Sequence, residues 1–410
     1  MLVLSVALRL AWVALVPNDQ YSDSVWYDGA ARNVAASGVY GLDGPSAWFP
    51  PGYPLFLATL YKLFGYSQLT GKLANVAIGL GISTFTYLLA RSLIGTSVAL
   101  VSALLIAVWP NLIFHTGILS SDLLAAFGFV GVLWLGTRPA THARTVLLGL
   151  LIGWMILVRP VSGVLLVSLA LLWWHRAGRV ALALRQLAPV VVIAALIVGS
   201  WTVRNYLTFG EPILIATNGG YNFWQVNQRF ADGNDTFWVN VPMDDPEYQV
   251  MRNGDEFTRN REGYRYGLAY IREHPDRFFA LIPAKLFWLY HTDTSGLYEG
   301  ALYAPLLGSS PLVAWMSAHE RLVESATFRY YEAVLVLAGI GAMFGLFIKR
   351  HVALASIVAV PLLLTFFHLF FHAKDRFHVP LDPFIAILAA LALVSAWAWA
   401  SQRARRIVRP

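Results

Sequence analysis

The chain has 410 residues, enough for two or three soluble domains on length alone, but 57% of them are hydrophobic and only 13% are charged. A soluble domain carries about 25% charge, so these polar side chains do not cover a water-facing surface of that size, and disorder is excluded with it. The absence of cysteine excludes thiol catalysis, thiolate metal sites and a disulfide framework, while 15 Trp suit a protein anchored at two bilayer interfaces.

The expected class is therefore an all-α polytopic membrane protein. A spanning helix needs about 20 apolar residues, and the candidates in chain order are 1–17, 73–90, 92–113, 118–137, 145–158, 161–175, 187–203, 333–348, 352–373 and 381–400, ten in all. The first lacks a basic n-region and a small-residue cleavage site, so it reads as a span rather than a signal peptide. The stretches 145–158 and 161–175 read as two crossings separated at Arg159-Pro160. Two crossings put Arg138 and Arg144 on the same face as Arg176, Arg179 and Arg185. Arg91, Lys349, Arg350 and the tail residues Arg403, Arg405, Arg406 and Arg409 join them, which makes that face cytoplasmic, with both termini inside. The net charge of +7 follows from this topology. No basic stripe interleaved with polar residues occurs, and no nucleic-acid partner is expected.

Three regions result: an N-terminal module 1–203 containing a first outer loop 18–72, an outer-face region 204–332, and the last spans with a basic tail, 333–410. Residues 50–65 and 278–291 read as helices lying in the interface plane. Residues 301–316, broken by Pro305, Gly308 and Pro311, are not counted as a span. Roughly 180 residues outside against short loops inside place the chemistry on the outer face. No internal repeat relates the two halves.

Ionisable residues at outer helix ends are the candidates for that chemistry. Asp23 follows the first span, and Tyr27 shares its helix face four residues on. Asp122 ends a run of thirty uncharged residues (92–121), with His115 in the same turn. Either Asp serves equally as a helix N-cap, yet two carboxylates converging on one cavity suit proton abstraction from a hydroxyl or a divalent cation. No Asp-x-Asp pair lies near them. Lys62, Arg159, Arg204, Lys285, Arg376 and His378 are cationic groups at outer ends, and snorkelling explains any one of them alone. Arg9 lies inside the first span and must face protein or a wet cavity. Gathered together, these groups bind an anionic phosphate. Asn218, Tyr221 and Asn222 in TNGGYN (217–222) have the chemistry of a sugar or acceptor site, although Asn-Gly and Gly-Gly favour a turn-rich loop by base rate. The stretch MDDPE (243–247) reads as a solvated turn.

An outer-loop Asp23 with Tyr27 four residues later, then PPGYP (50–54), resembles the GT-C superfamily of membrane glycosyltransferases. The chain looks most like the bacterial branch related to protein O-mannosyltransferases and lipid A aminoarabinose transferases. Arg159-Pro160, WTVRNYLTFG (201–210), TNGGYN (217–222) and RFHVPLDP (376–383) follow in that family's order, so the resemblance runs along the whole chain. It implies a polyprenyl-phosphate-linked sugar donor, an inverting transfer, and an envelope glycan, lipid or protein acceptor outside a bacterial plasma membrane. Asp23 matches the first-loop catalytic base and Asp122 the second-loop acidic position. Many relatives carry Asp-Glu in the first loop, where this chain has Asp23-Ser24. No cofactor is required by this reading, and a divalent metal is compatible with it. Acceptor selectivity is expected in 204–332. The rival reading is a transporter or flippase of a lipid-linked sugar, which requires repeats and charged, discontinuous helices at the midplane. A ligase using a pyrophosphate donor shares the same acid and cation logic.

Overall fold

The computed structural model describes residues 1–234, 241–303, 310–348 and 354–407, and every regular element among them is helical. Pro305, Gly308, Lys349, Arg350, Arg409 and positions 235–238 of the Asn-rich stretch fall outside the described residues. Each of the ten apolar stretches contains a helix, and 92–113 is broken at Trp109. α1 (Leu2–Leu15) leads into a first outer segment with α2 (Asp23–Ser37) and α3 (Gly52–Phe64). There follow α4 (Gln68–Leu93), α5 (Thr96–Val108) with its continuation α6 (Pro110–Phe114), α7 (Ser121–Gly136), α8 (His142–Val158), α9 (Val164–Ala177) and α10 (Val180–Phe209). The second outer segment holds α11 (Asn218–Gln225), α12 (Pro246–Asn253), α13 (Glu256–Glu273), α14 (Pro275–Ala280), α15 (Ile282–Tyr290), α16 (Ser295–Leu297) and α17 (Pro311–Ala318). α18 (Glu320–Met343), α19 (Leu354–His368) and α20 (Asp382–Ile407) complete the described chain.

Among the described residues, five helices are long and apolar enough to cross a membrane, α9 only together with the turn Pro160–Gly163 that leads into it, and α5 and α6 form a pair bent by 55°. α1, α7, α8 and α19 are shorter apolar helices. Buried side chains from Tyr27 to Leu391 form one cluster, with α18 on α20, α20 on α5, and α4 against both α5 and α7. α8 packs on α10 along a seam of small residues. A Cβ at Gly149 would lie 2.6 Å from Ile193 Cβ, and one at Gly153 would lie 2.7 Å from Ile197 Cβ. This glycine pair four residues apart lets two backbones approach where no hydrophobic effect drives helices together.

The bend at Pro110 has a physical cause and a physical remedy. Proline has no N–H and its ring clashes with the carbonyl four residues back, which here belongs to Ile106. Arg9 donates to Ile106 O and to Ala107 O, both at 3.3 Å, and to Ser5 Oγ at 2.8 Å. Its guanidinium is wholly buried. The charge inside the first span thus satisfies backbone carbonyls rather than facing an outer pocket.

At the opposite end from Asp23, Arg138, Arg144 and Arg176 line one cavity. The two basic clusters share a face, as two crossings between them require. In the segment that follows α1, α3 is amphipathic, with Tyr53, Leu57 and Tyr61 buried and Leu63 and Phe64 exposed. TNGGYN is not a turn-rich loop: Asn218–Gln225 is the helix α11. Its Gly220 sits where a Cβ would lie 1.8 Å from Asn260 O on α13, so the glycines serve close helix packing and not a turn. MDDPE is not solvated throughout either, because Asp245 is buried and caps α12 by accepting from Tyr248 N at 3.0 Å.

Gly153→Val is expected to lower stability by about 1–3 kcal/mol through overpacking, seen as a lower thermal-unfolding midpoint in detergent. An unchanged midpoint would mean that α8 and α10 do not approach this closely.

Candidate active site

Asp23 and Asp122 meet on one guanidinium. Arg376 Nη1 lies 3.2 Å from Asp23 Oδ2, and Nη2 lies 3.5 Å from Asp122 Oδ2. A third carboxylate, Glu299, lies 3.5 Å from Nη1. Arg159 closes the set, pairing with Asp122 Oδ1 and donating to Ser121 Oγ at 3.0 Å. The side chains of Asp122 and Arg376 are 1% and 7% exposed, whereas Asp23 is 36% exposed. Three carboxylates and two guanidiniums leave one surplus negative charge, and Asp23 is the member that solvent reaches.

Local sequence explains each placement. Pro160 starts a new helical turn and forces Arg159 into extended backbone (φ −146°) at the end of α8. Arg376 rides on a tight turn, Asp375–Leu381, that Pro380 and the start of α20 terminate. Asp375 pins that turn by accepting from Thr294 N at 3.0 Å and Ser295 N at 2.8 Å, which brings the segment carrying Glu299 alongside. Ser22, with φ +54°, is the only non-glycine residue at positive φ among the described residues, a strained backbone immediately before Asp23. Neither Asp behaves as a cap: Ser22 and Ser120 hold the cap positions of α2 and α7, and neither makes a side-chain cap bond.

The other sequence candidates fall into separate places. Tyr27 is buried among Phe49, Tyr53 and Trp26, and burial, then Asp23, pushes its hydroxyl pKa up. His115 is buried behind the site, its Nδ1 3.0 Å from Asn111 O and its Nε2 unpartnered. Lys62 is exposed on α3. Arg204 packs on Trp201 and donates to Ser46 O at 3.1 Å, so it braces the first outer segment. Asn218, Tyr221 and Asn222 are half-buried on α11, with Tyr221 against Trp48. Arg9, as above, does not join the outer group.

Lys285 is buried and donates to Leu369 O at 2.8 Å and Asn227 Oδ1 at 3.4 Å. Burial alone pulls its pKa down to about 8. His372, half-buried, is held well below its ordinary pKa by burial and then by Lys374, His368, Arg376 and Lys285. His378 is engaged separately. Its Nδ1 is 2.8 Å from Leu289 O and its Nε2 is 3.0 Å from Asp293 Oδ1.

Glu299, Asp293, Asp375 and His372 carry the arrangement and were not singled out from the sequence. The last two stand in HAKDRFHVPLD (372–382), whose density of ionisable residues between two apolar runs was the available signal. Glu299 gave none, being one acid in a polar stretch.

Residues 49–202 match the family model described as dolichyl-phosphate-mannose-protein mannosyltransferase. No curated protein matches the chain. Among solved structures, the Archaeoglobus fulgidus oligosaccharyltransferase in complex with Zn and sulfate aligns at a TM-score of 0.57 and 15% identity, covering 98% of this chain and 50% of that one. The archaeal enzyme in complex with an inhibitory peptide and a dolichol-phosphate aligns at 0.53 and 14%, covering 100% and 51%. ArnT from Cupriavidus metallidurans bound to undecaprenyl phosphate aligns at 0.47 and 16%, covering 95% and 77%. The chain spans about half the length of the oligosaccharyltransferase, and the likeness is one of fold.

Asp122→Asn leaves Arg159 and Arg376 facing a neutral group in a buried site. It is expected to cost about 3–5 kcal/mol, measured by thermal or denaturant unfolding in detergent, whereas Asp23→Asn at the accessible position should cost far less.

Proposed function

Starting from a chain that carries the fold of the GT-C membrane glycosyltransferases, we propose that it transfers a sugar from a polyprenyl-phosphate carrier to a cell-envelope acceptor, with inversion. The observation that carries this reading is the contact of Arg376 with Asp23, Asp122 and Glu299 at once. Asp23 is the accessible acid of the set. Asp23 therefore takes the proton of the acceptor hydroxyl. The acceptor oxygen bonds to the anomeric carbon as the bond from that carbon to the phosphate oxygen breaks. The carrier phosphate leaves with the electron pair. Phosphate needs no strong acid to leave, so one base suffices, unlike the two carboxylates of glycoside hydrolysis.

Asp122, buried and paired with both arginines, is a positioning residue that fixes where their positive charge lies. Arg376 and Lys285 supply the cations that would receive an anionic carrier phosphate and stabilise charge developing on the leaving group. The description of the matched family, and the dolichol-phosphate of the archaeal neighbour, support a lipid-phosphate donor. The three carboxylates are also the chemistry of a divalent-ion site, and here Arg376 already stands among them.

A plasma-membrane location with the active site outside and both termini inside is part of the proposal. The common face of Arg138, Arg144 and Arg176 supports the inside assignment of that end. The transporter reading finds one discontinuous span, the α5–α6 pair, but transporters use such breaks to line a wet cavity. Arg9 is 0% exposed and fills this one.

Asp23→Asn is expected to lower the transfer rate by about 100- to 10,000-fold while donor binding persists, measured with purified protein and a polyprenyl-phosphate sugar. Retained turnover would remove Asp23 as the base. A second expectation concerns pH. Lys285 binds an anion only when protonated, so affinity for the carrier phosphate should weaken as pH rises through about 8, and Lys285→Arg should abolish that dependence in a binding titration. The same lowered pKa makes the protonated form the less stable one. Its contribution to folding stability therefore rises between pH 8 and the free-lysine value of 10.5.

A further inference from the structure

Behind the turn that carries Arg376 lies a second cluster for which sugar transfer has no use. Asp293, His378 and Asp382 are all completely buried. Asp293 accepts from Trp109 Nε1 at 2.6 Å and from Asn111 Nδ2. Asp382, the first residue of α20, has both carboxylate oxygens buried and without a partner. Its Oδ1 lies 3.9 Å from His378 Nε2. No lysine or arginine pairs with either carboxylate among the described residues.

The tautomer of His378 sharpens the problem. Its Nδ1 lies 2.8 Å from the carbonyl oxygen of Leu289, so Nδ1 carries the hydrogen in the neutral ring. Nε2 then turns a lone pair toward Asp293 Oδ1 at 3.0 Å and toward Asp382. A lone pair and two carboxylates facing one another in a buried space call for a positive centre among them, which a proton on Nε2 or a bound cation supplies. The imidazole is held in place between the rings of Tyr331 and Tyr290, at centroid distances of 4.6 and 6.1 Å.

We propose that Asp293, His378 and Asp382 bind one divalent transition-metal ion, with zinc favoured by the donor set. One neutral imidazole and two carboxylates balance a charge of two, and mixed nitrogen and oxygen donors suit zinc. The Leu289 carbonyl is the kind of outer partner that fixes the tautomer of a metal-bound histidine. The three ligand atoms lie within 4.8 Å of one another, so closing onto bonds of about 2.0–2.2 Å takes a contraction that rotation of the unpartnered Asp382 side chain supplies. The site is sealed from solvent, so the ion is structural. It ties the loop after α15 and the start of α20 to the turn Asp375–Leu381, and thereby fixes Arg376 on the other side of that turn. The proposal does not depend on the assignment of Asp23.

The test uses the full chain purified in detergent, stripped with a chelator, reloaded with zinc chloride, desalted, and analysed by inductively coupled plasma mass spectrometry. Wild type and Asp23→Asn are expected to retain one zinc per chain, and Asp382→Asn and His378→Gln less than a tenth of that. Zinc, unlike magnesium, should also raise the unfolding temperature of the stripped wild type, a readout that needs no variant to fold. A monodisperse wild type that neither retains zinc nor is stabilised by it would overturn the proposal and leave a proton on His378 Nε2 or on Asp382 as the compensating charge. Zinc retained equally by a folded Asp382→Asn would overturn it too.

Discussion

The organisation of the outer face depends on one guanidinium. Arg376 reaches carboxylates from the first outer segment, from the start of α7 and from the segment after α16, so residues nearly 300 positions apart share a single cation. Repulsion among three acids would otherwise drive these segments apart, and around the buried Asp122 that repulsion is weakly screened. Arg159 takes up the remaining oxygen of Asp122. The planar, multidentate geometry of arginine is what allows one side chain to serve several acids; a lysine at 376 would offer a point charge in place of two differently directed edges.

Behind this hub, the interior settles its polar groups locally. Pro110 removes a backbone bond from α5, and Arg9 supplies donors to the carbonyls that the bend frees. The bend delivers Asn111 to Asp293 and, through Asn111 Oδ1, to the backbone N–H of Gly296 at 2.8 Å. Asp293 in turn meets His378, two residues beyond Arg376. A defect in a span, repaired by a charge in the neighbouring span, thus reaches the turn that carries Arg376 through a short chain of buried contacts.

How much of this was legible in the sequence follows from the kind of information each feature needs. Every apolar stretch contains a helix because a run of such residues has few other options in lipid, and the two basic clusters of α8 and α9 share a face as the charge pattern required. Asp23 and Asp122 were legible through position, Asp23 just beyond the first span and Asp122 at the end of a long uncharged run, both at one end of their helices. Arg159 and Arg376 were legible in the same way. Arg9 was recognised as needing a buried partner, but a backbone carbonyl leaves no mark in a sequence, and its real partners depend on how α1 lies against α5. The fate of Gly219-Gly220 was equally hidden: the same dipeptide serves a turn or a close helix crossing, and only the position of α13 decides. Glu299 and Asp293 gain their importance from proximity across the fold, which a single chain read in order does not reveal.

Glu256 supplies a last consequence. Its carboxylate accepts from Ser46 Oγ at 3.0 Å, Ala47 N at 3.1 Å and Thr217 Oγ1 at 3.1 Å, clasping the first outer segment to the second. Prising them apart strips a charged acceptor of three donors at once, a costly way to separate packed surfaces. Any separation of the two segments therefore costs least where this clasp is not engaged.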